Sequence, residues 1–391
     1  MNKILFSLFA LCSLLCTACS NDTPYKADLS QIQRTIDIAR DSLGAETWLE
    51  VEKNEVIKLC LDSKVRTWET KLHSKNLNDS CIAFQVPTLI GVDTIKVYFP
   101  DDSSSHNINL AVGMKYLNFK NEEVLLGSNL LDKYPLLKNF TFTTKQGSYH
   151  LHEEDPERLA SVTGTYLIDK YPVTNCEITQ LLWDTISIKN KQNNSSSRVD
   201  KFVETWISRK KASIHNEDCA AKDTATDRTF LYTAMQYANA RSRRDGLKPY
   251  YVFTSTNEVE PKILSKNLYI IGYYGFAPDE GKETIQVSID KSSDGYRLPY
   301  YDEWMTFARG GDKKNKAPWS NSSENYEEFS KYAKFNPNKG LYESEPVGQL
   351  LPNGYGLYDM LGLVWEHVLF EEKNPFREQG ENPSCFKGGG T

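Results

Sequence analysis

The thiols are the groups with the most reactive chemistry in this chain. Eight cysteines occur in 391 residues: Cys12, Cys16 and Cys19 near the start, then Cys60, Cys81, Cys176, Cys219 and Cys385. Copper or thiol-redox chemistry needs soft thiolates paired in a fixed geometry. A structural zinc site needs a CxxC or a mixed Cys/His spacing. Neither spacing occurs among the five cysteines from Cys60 onward, and only six histidines are present. Cys60 and Cys81 lie in neighbouring strand-like runs and could pair across about 20 residues.

The start of the chain decides which compartment those thiols meet. Lys3, the mostly apolar run 4–15 and the small residues Thr17 and Ala18 have the layout of an export signal. A run of about 12 residues is too short to span a bilayer. Small residues directly before Cys19 are similar to a bacterial lipobox, although Cys16 stands where that pattern prefers leucine. The expectation is that residues 1–18 are removed and that Cys19 is acylated, its buried methylenes holding the chain to a membrane. Ser20-Asn21-Asp22 would begin a polar tether. This places the protein in the cell envelope, at an outer membrane, on its periplasmic or its surface face. Export also means an oxidising compartment. Five cysteines then remain after Cys19, so at least one stays unpaired.

Composition narrows the partners. The net charge is -6 with both signs mixed, so no basic stripe points to nucleic acid. Tyrosine (22), phenylalanine (17) and tryptophan (7) are abundant. That is compatible with carbohydrate contact, but an irregular, loop-rich fold with a large-aromatic core is the preferred reading.

Two regions follow the signal. Ile32, Ile36, Ile38 and Leu43 fall loosely at helical spacing, so residues 19–45 are expected to be a tether and a short helix. Residues 46–144 are strand-like. Runs at 55–61, 81–86, 94–99 and 107–112 are β-branched or aromatic and are broken by Asn78-Asp79, Pro87 and Pro100-Asp101-Asp102. This predicts a small β-sandwich-like module. It carries no evident chemistry, and a spacer or docking role is expected.

The remainder, 145–391, alternates strands and helices. Thr174 with Glu177 three residues later forms a capping box, and Ile178, Leu181 and Leu182 repeat on one helix face. Phe230, Ala234, Tyr237, Ala238 and Arg241 predict a second helix, stopped by Gly246. Polar stretches at 185–229 and 256–293 read as surface insertions. In Gly295-Tyr296-Arg297-Leu298-Pro299-Tyr300-Tyr301-Asp302-Glu303-Trp304, Pro299 suits a first helical turn and the acids suit the positive end of the dipole. Trp304, Phe307 and Ala308 would form the buried face, ended by Gly310-Gly311. Arg297 is read as a buried structural partner rather than a catalytic group, and so are Tyr358 and Trp365.

This Arg-Leu-Pro block and Pro352-Asn353-Gly354-Tyr355-Gly356-Leu357-Tyr358-Asp359-Met360-Leu361-Gly362-Leu363-Val364-Trp365-Glu366-His367 resemble the two most recognisable blocks of the formylglycine-generating-enzyme (sulfatase-modifying factor) family. The likeness starts near Gly147. It includes Tyr166–Asn175, and Asp245-Gly246-Leu247-Lys248-Pro249-Tyr250-Tyr251. It implies an α+β, C-type-lectin-like domain with much loop and small twisted sheets. Arg297, Pro299, Glu303, Trp304, Gly356, Asp359 and Trp365 are carried over as its structural motif.

The same likeness shows what chemistry to expect. In the active family two cysteines a few residues apart bind copper(I) after an Arg-Gly-Gly-Ser-Trp block. Here Lys387-Gly388-Gly389 stands in that place and the chain ends at Thr391. Cys385 precedes the glycines and does not inherit the role. No copper is expected, and no catalytic residue is assigned. Family calcium ligands include an Asn in Tyr-Ala-Asn and the Asn of Gly-Asn-Val-Trp-Glu-Trp. Lys334 and Leu363 hold those positions here, and His367 replaces the last Trp. Glu366 remains as a candidate calcium ligand, since calcium wants several hard oxygens. The expectation is a lipid-anchored envelope protein whose degenerate domain binds or scaffolds an envelope protein or a glycan. Gliding-motility and secretion-machinery lipoproteins of the Bacteroidota type share this layout, an analogy at the level of fold. Two alternatives stay open. One is a true formylglycine-generating enzyme for exported sulfatases, if the chain continues past Thr391 into a cysteine pair. The other is a lectin-like carbohydrate binder.

Overall fold

The computed structural model describes residues 26–44, 46–126, 141–144, 147–150, 158–182, 223–227, 229, 231–256, 268–271, 284–311, 327, 330–334, 345–369 and 384–387. In chain order the strands are β1 (Arg34–Ile38), β2 (Thr47–Val51), β3 (Val56–Leu61), β4 (Thr67–Glu69), β5 (Ser74–Asn76), β6 (Cys81–Gln85), β7 (Gly91–Tyr98), β8 (Ser105–Val112), β9 (Met114–Leu126), β10 (Thr141–Thr144), β11 (Gly147–His150) and β12 (Arg158–Asp169). Helix α1 is described over 175–182, and α2 (Leu231–Arg244) follows. Then come β13 (Tyr251–Thr256), β14 (Leu268–Ile271), β15 (Thr284–Ile289), α3 (Tyr301–Ala308), β16 (Ala333–Lys334), β17 (Leu361–Gly362), β18 (Glu366–Leu369) and β19 (Ser384–Lys387). Two compact units result. One holds the residues up to 47 with 54–88 and 94–108. The other holds 48–53, 89–93 and 109–391.

Among the described residues the regular structure of the first unit is strand, apart from one 3-10 turn. Its sheet runs β1-β3-β6-β5, with β1 parallel to β3 and the other neighbours antiparallel. β4 pairs antiparallel with β7. Ile57 and Leu59 of β3, Ile82 and Phe84 of β6, and Ile95 and Val97 of β7 are fully buried. The predicted strands at 55–61, 81–86 and 94–99 are therefore present. The short helix expected before residue 45 is not: residues 34–38 are strand, and only Arg40–Ser42 make a 3-10 turn. Arg34, Ile36 and Ile38 alternate inward with Thr35 and Asp37 outward, a period of two. The ladder offered by β3 therefore outweighs the loose helical spacing of the isoleucines. Cys60 and Cys81 face each other across β3 and β6 and form a disulfide.

The second unit contains α1, α2 and α3 and several small ribbons. Its longest ladder is β9 against β12, antiparallel from Met114 opposite Asp169 to Leu126 opposite Arg158, with an irregularity between Val162 and Gly164. β9 thus leaves the expected 46–144 module and serves the C-terminal unit. Its inward side chains meet their partners there. Phe119 packs with Val162, Phe307 and Leu357, and Val124 and Leu126 pack with Ala160. Residues 48–53 join the same unit through charge. Glu50 pairs with Lys115, Glu52 with Lys170, and Lys53 lies 3.2 Å from both Glu177 and Asp223.

The predicted helices largely hold. Thr174 Oγ1 accepts the Glu177 N–H at 3.3 Å and starts α1. Only that half of the capping box shows, because the buried Glu177 carboxylate faces Lys53 instead. Gly246 takes φ +74° after α2. Pro299 stands two residues before α3, ahead of the Tyr300 cap rather than inside the first turn. Gly310 and Gly311 follow the helix at φ +66° and +87°. Cys176 is also disulfide-bonded. Cys19, Cys219 and both predicted surface insertions lie wholly or mostly outside the described residues.

Candidate functional site

The candidate site is the region where α3, β16, β17 and β18 meet. Its frame is an ion pair that α3 builds from its own entry. Arg297 donates from Nη1 and Nη2 to the two Glu303 oxygens, at 2.7 Å each. Such a bidentate fork fixes geometry as well as charge. Glu303 also accepts the Tyr300 N–H at 2.8 Å, capping the helix. The Arg297 guanidinium lies 4.9 Å from the Tyr300 ring centroid. Burial opposes its charge, but Glu303 overcomes that and holds the guanidinium above its ordinary value. Among the described residues the side-chain hydrogen bonds of Arg297 go to Glu303 and to the Leu298 carbonyl, all at the turn that launches α3.

From α3 the buried Trp304 packs with Tyr301, Ala308 and Val368. β18 lies against this helix. Val364 and Val368 point inward, whereas Trp365 is 59% exposed. Trp365 therefore contributes little to the core, contrary to the reading of it as buried. The inward positions on either side of it are already taken by valine. His367 is half-buried, with Nε2 at 2.7 Å from the Thr229 carbonyl. Burial lowers its pKa and the Thr229 carbonyl works the other way. In the β18–β19 ladder Cys385 falls opposite Val368.

Glu366 begins β18. Burial pushes its carboxyl up to about 7. The Trp304 indole N–H, which lacks a partner of ordinary hydrogen-bond geometry, pulls the other way, and Asp359 and Asp169 add to the push. The folded state then keeps a proton that an unfolded chain would release near 4.5. Stability contributed by that proton is present at acid pH and declines as pH rises from about 4.5 through about 7. Glu366→Gln is therefore expected to match the wild type near pH 4.5. It should exceed it by roughly 3 kcal/mol above pH 8, at about 1.36 kcal/mol per unit. Urea unfolding at both pH values measures this, and a gap that is constant with pH would refute it.

The β16–β17 crossing lies beside these residues. β16 runs parallel to β17, with Lys334 opposite Gly362. Gly362 has φ +80°, and a Cβ there would collide with the Lys334 carbonyl. Only glycine permits so close an approach. Leu363 follows at φ +53° and donates its N–H to the Lys334 carbonyl at 3.4 Å. Lys334 Nζ reaches Glu345 Oε2 at 2.7 Å, both side chains being partly exposed. Asp359 sits nearby at φ +55°, buried, with Oδ2 accepting the Gly348 N–H at 2.6 Å. Burial raises its pKa, against the Gly348 N–H and the Lys334 ammonium. Asp359 and Tyr332, Leu351, Asn353, Leu357, Met360 and Leu361 line a small hollow.

The calcium implied by the family resemblance does not fit these residues. A hard cation needs oxygens, and here an ammonium and an aliphatic side chain, Lys334 and Leu363, occupy positions that would supply them. Glu366, the third candidate, keeps a carboxyl proton near neutral pH. Among the described residues, no group of three or more His, Cys, Asp or Glu side chains is placed to hold a metal. The Lys334–Glu345 pair and the raised Glu366 carboxyl could not be read from the sequence. The first depends on a partner eleven positions away, and the second on burial against α3.

Comparison with known proteins bears on the whole unit. Residues 136–390 match the family model described as the sulfatase-modifying factor enzyme 1-like domain. The chaperone protein LppX of Paenibacillus barcinonensis is 32% identical over 183 residues, 43% of this chain and 59% of that protein. Inactive C-alpha-formylglycine-generating enzyme 2 of Mus musculus is 39% identical over 77 residues, 18% of this chain and 25% of that protein. The formylglycine-generating enzyme of Mus musculus is 37% identical over 111 residues, 24% of this chain and 30% of that protein. Among solved structures, Treponema denticola variable protein 1 aligns over 71% of this chain and 76% of its own, with a TM-score of 0.35 and 21% identity. The chain thus spans less than two thirds of the length of these curated relatives.

Proposed function

Because the chain belongs to the sulfatase-modifying factor enzyme 1-like family, we propose that its family domain is a binding or scaffolding module of an envelope protein anchored through Cys19, not an oxidase. The observation that carries this reading is the β16–β17 crossing. An ammonium and a leucine stand there where the family's metal-binding asparagines are expected. The similarity to a protein named as a chaperone and to one named as an inactive enzyme supports it. The short ribbons β13–β15, β16–β17 and β18–β19, with long stretches between them, support a C-type-lectin-like architecture for the unit. No helix among the described residues is long and apolar enough to cross a membrane; in this reading attachment is through acyl chains on Cys19.

In this reading the second unit presents a fixed surface, stiffened by the Arg297–Glu303 fork and the buried α3 face, to another exported protein. The test uses the full chain purified from membranes, copper(I), oxygen and a peptide carrying the cysteine segment of an exported sulfatase. Mass spectrometry is expected to find no formylglycine above a copper-only control. In cells, Cys19→Ala is expected to release the protein from the membrane fraction, and crosslinking is expected to trap the wild type on an envelope protein. Conversion of the peptide above background would overturn the reading.

The exposed Trp365 is the one observation that favours the glycan alternative, because an open indole face can stack on a sugar. Binding to a glycan array that disappears in Trp365→Ala would establish it.

A further inference from the structure

We infer that Lys334 is a built-in cation: its ammonium does at the β16–β17 crossing what a bound calcium ion would otherwise do, which makes this part of the fold independent of metal. The argument starts from charge. Two carboxylates converge on this crossing, Glu345 directly and Asp359 from within the protein. Lys334 Nζ meets the first at 2.7 Å, and its field opposes the burial of the second. Without that positive charge Glu345 would lose its ion-pair partner, and the buried Asp359, which accepts the Gly348 N–H, would lose the ammonium that favours its charge.

The backbone points the same way. Gly362, Leu363 and Asp359 all take positive φ within five residues, conformations that cost energy in L-residues other than glycine. A chain bent in this way needs a fastening. Here the fastening is covalently part of β16: the Lys334 carbonyl accepts the Leu363 N–H, and the ammonium of the same residue holds Glu345. The Leu363 side chain brings no oxygen to the crossing. A lysine cannot be removed by a chelator or diluted away. The inference does not depend on whether the domain binds a protein or a glycan.

Thermal unfolding of the full chain tests it. The wild type is expected to show the same midpoint, within about 1 °C, in chelator and in millimolar calcium. Lys334→Met is expected to lower the midpoint equally in both. Lys334→Asp brings a third carboxylate beside Glu345 and Asp359. It is expected to fall furthest in chelator and to recover in calcium, by several degrees, because a ligand that binds only the folded state stabilises it. Terbium luminescence sensitised by nearby aromatic rings should appear in Lys334→Asp and be absent from the wild type. A wild-type midpoint that rises with calcium overturns the inference, as does Lys334→Asp with no calcium or terbium response. If Lys334→Asp does not fold in either buffer, the wild-type titration alone decides.

Discussion

A chain cut to residues 136–391, the span of the family match carried to Thr391, is expected not to fold. β12 would lose β9, its partner from Arg158 to Asp169. With β9 go Met114, Phe119, Val124 and Leu126, all buried in the second unit. Burying a large apolar side chain contributes about 1.5–3 kcal/mol. Four of them amount to roughly 6–12 kcal/mol, comparable to the net stability of a whole domain at about 5–15 kcal/mol. Electrostatics deepens the loss. Glu177 is buried, and burial pushes its carboxyl up while Lys53 holds it down. Removing Lys53 leaves Glu177 and Asp223 facing each other without a counter-ion. A chain beginning at residue 26 keeps all of these groups and is expected to unfold cooperatively. Circular dichroism and urea titration of both chains decide the matter, and a cooperative transition of 136–391 at the longer chain's midpoint would refute it.

Asp169→Ala is expected to cost about 3–5 kcal/mol, and more than Arg241→Met does. The two residues form a bidentate pair at 2.6 and 2.8 Å. They differ in access to water. Arg241 is 2% exposed, under the Tyr296 ring at 3.9 Å and against Met114, whereas the Asp169 side chain is 25% exposed. Removing the carboxylate leaves a guanidinium in the core without its hydrogen-bonded counter-ion. Burial alone would drive that guanidinium's pKa down, and Asp169 is what keeps it high. Removing the guanidinium instead leaves an acid that water can still reach, and methionine refills the space. Urea denaturation of the two variants gives the order, and a larger loss in Arg241→Met would contradict this account.

These two cases show what the sequence could and could not convey. Arg297 and Glu303 were recognisable because six residues separate them inside one short block, and a helix entry explains both. The end of α2 was marked by Gly246, and the last part of β12 only by the likeness of Tyr166–Asn175 to the family's block. Lys53 gave no signal. Its partners are 124 and 170 residues away, and a single lysine in a turn looks like any solvated charge. β9 was read as strand but assigned to the wrong unit, because strand patterning carries no address for its partner. The isoleucines near residue 36 satisfied a helical and a two-residue period equally, and only the free edge of β3 chose between them. Trp365 was misjudged because its size suggested burial, whereas its neighbours Val364 and Val368 already fill the inward sites. Lys334 was legible as a departure from the family pattern, but not as half of an ion pair.

The parallel pairing of β1 with β3 has a mechanical consequence. If the chain is held through Cys19 as proposed, a pull from the membrane side would enter at Arg34 and run along β1. Because β3 points the same way, the ladder from Arg34–Ile57 to Ile38–Leu61 is loaded in shear, and its bonds must yield together rather than unzip in turn. Behind it, the Cys60–Cys81 bond stops β3 from sliding on β6. Drag on such an anchor would therefore meet a ladder loaded in shear before it reached the rest of the sheet.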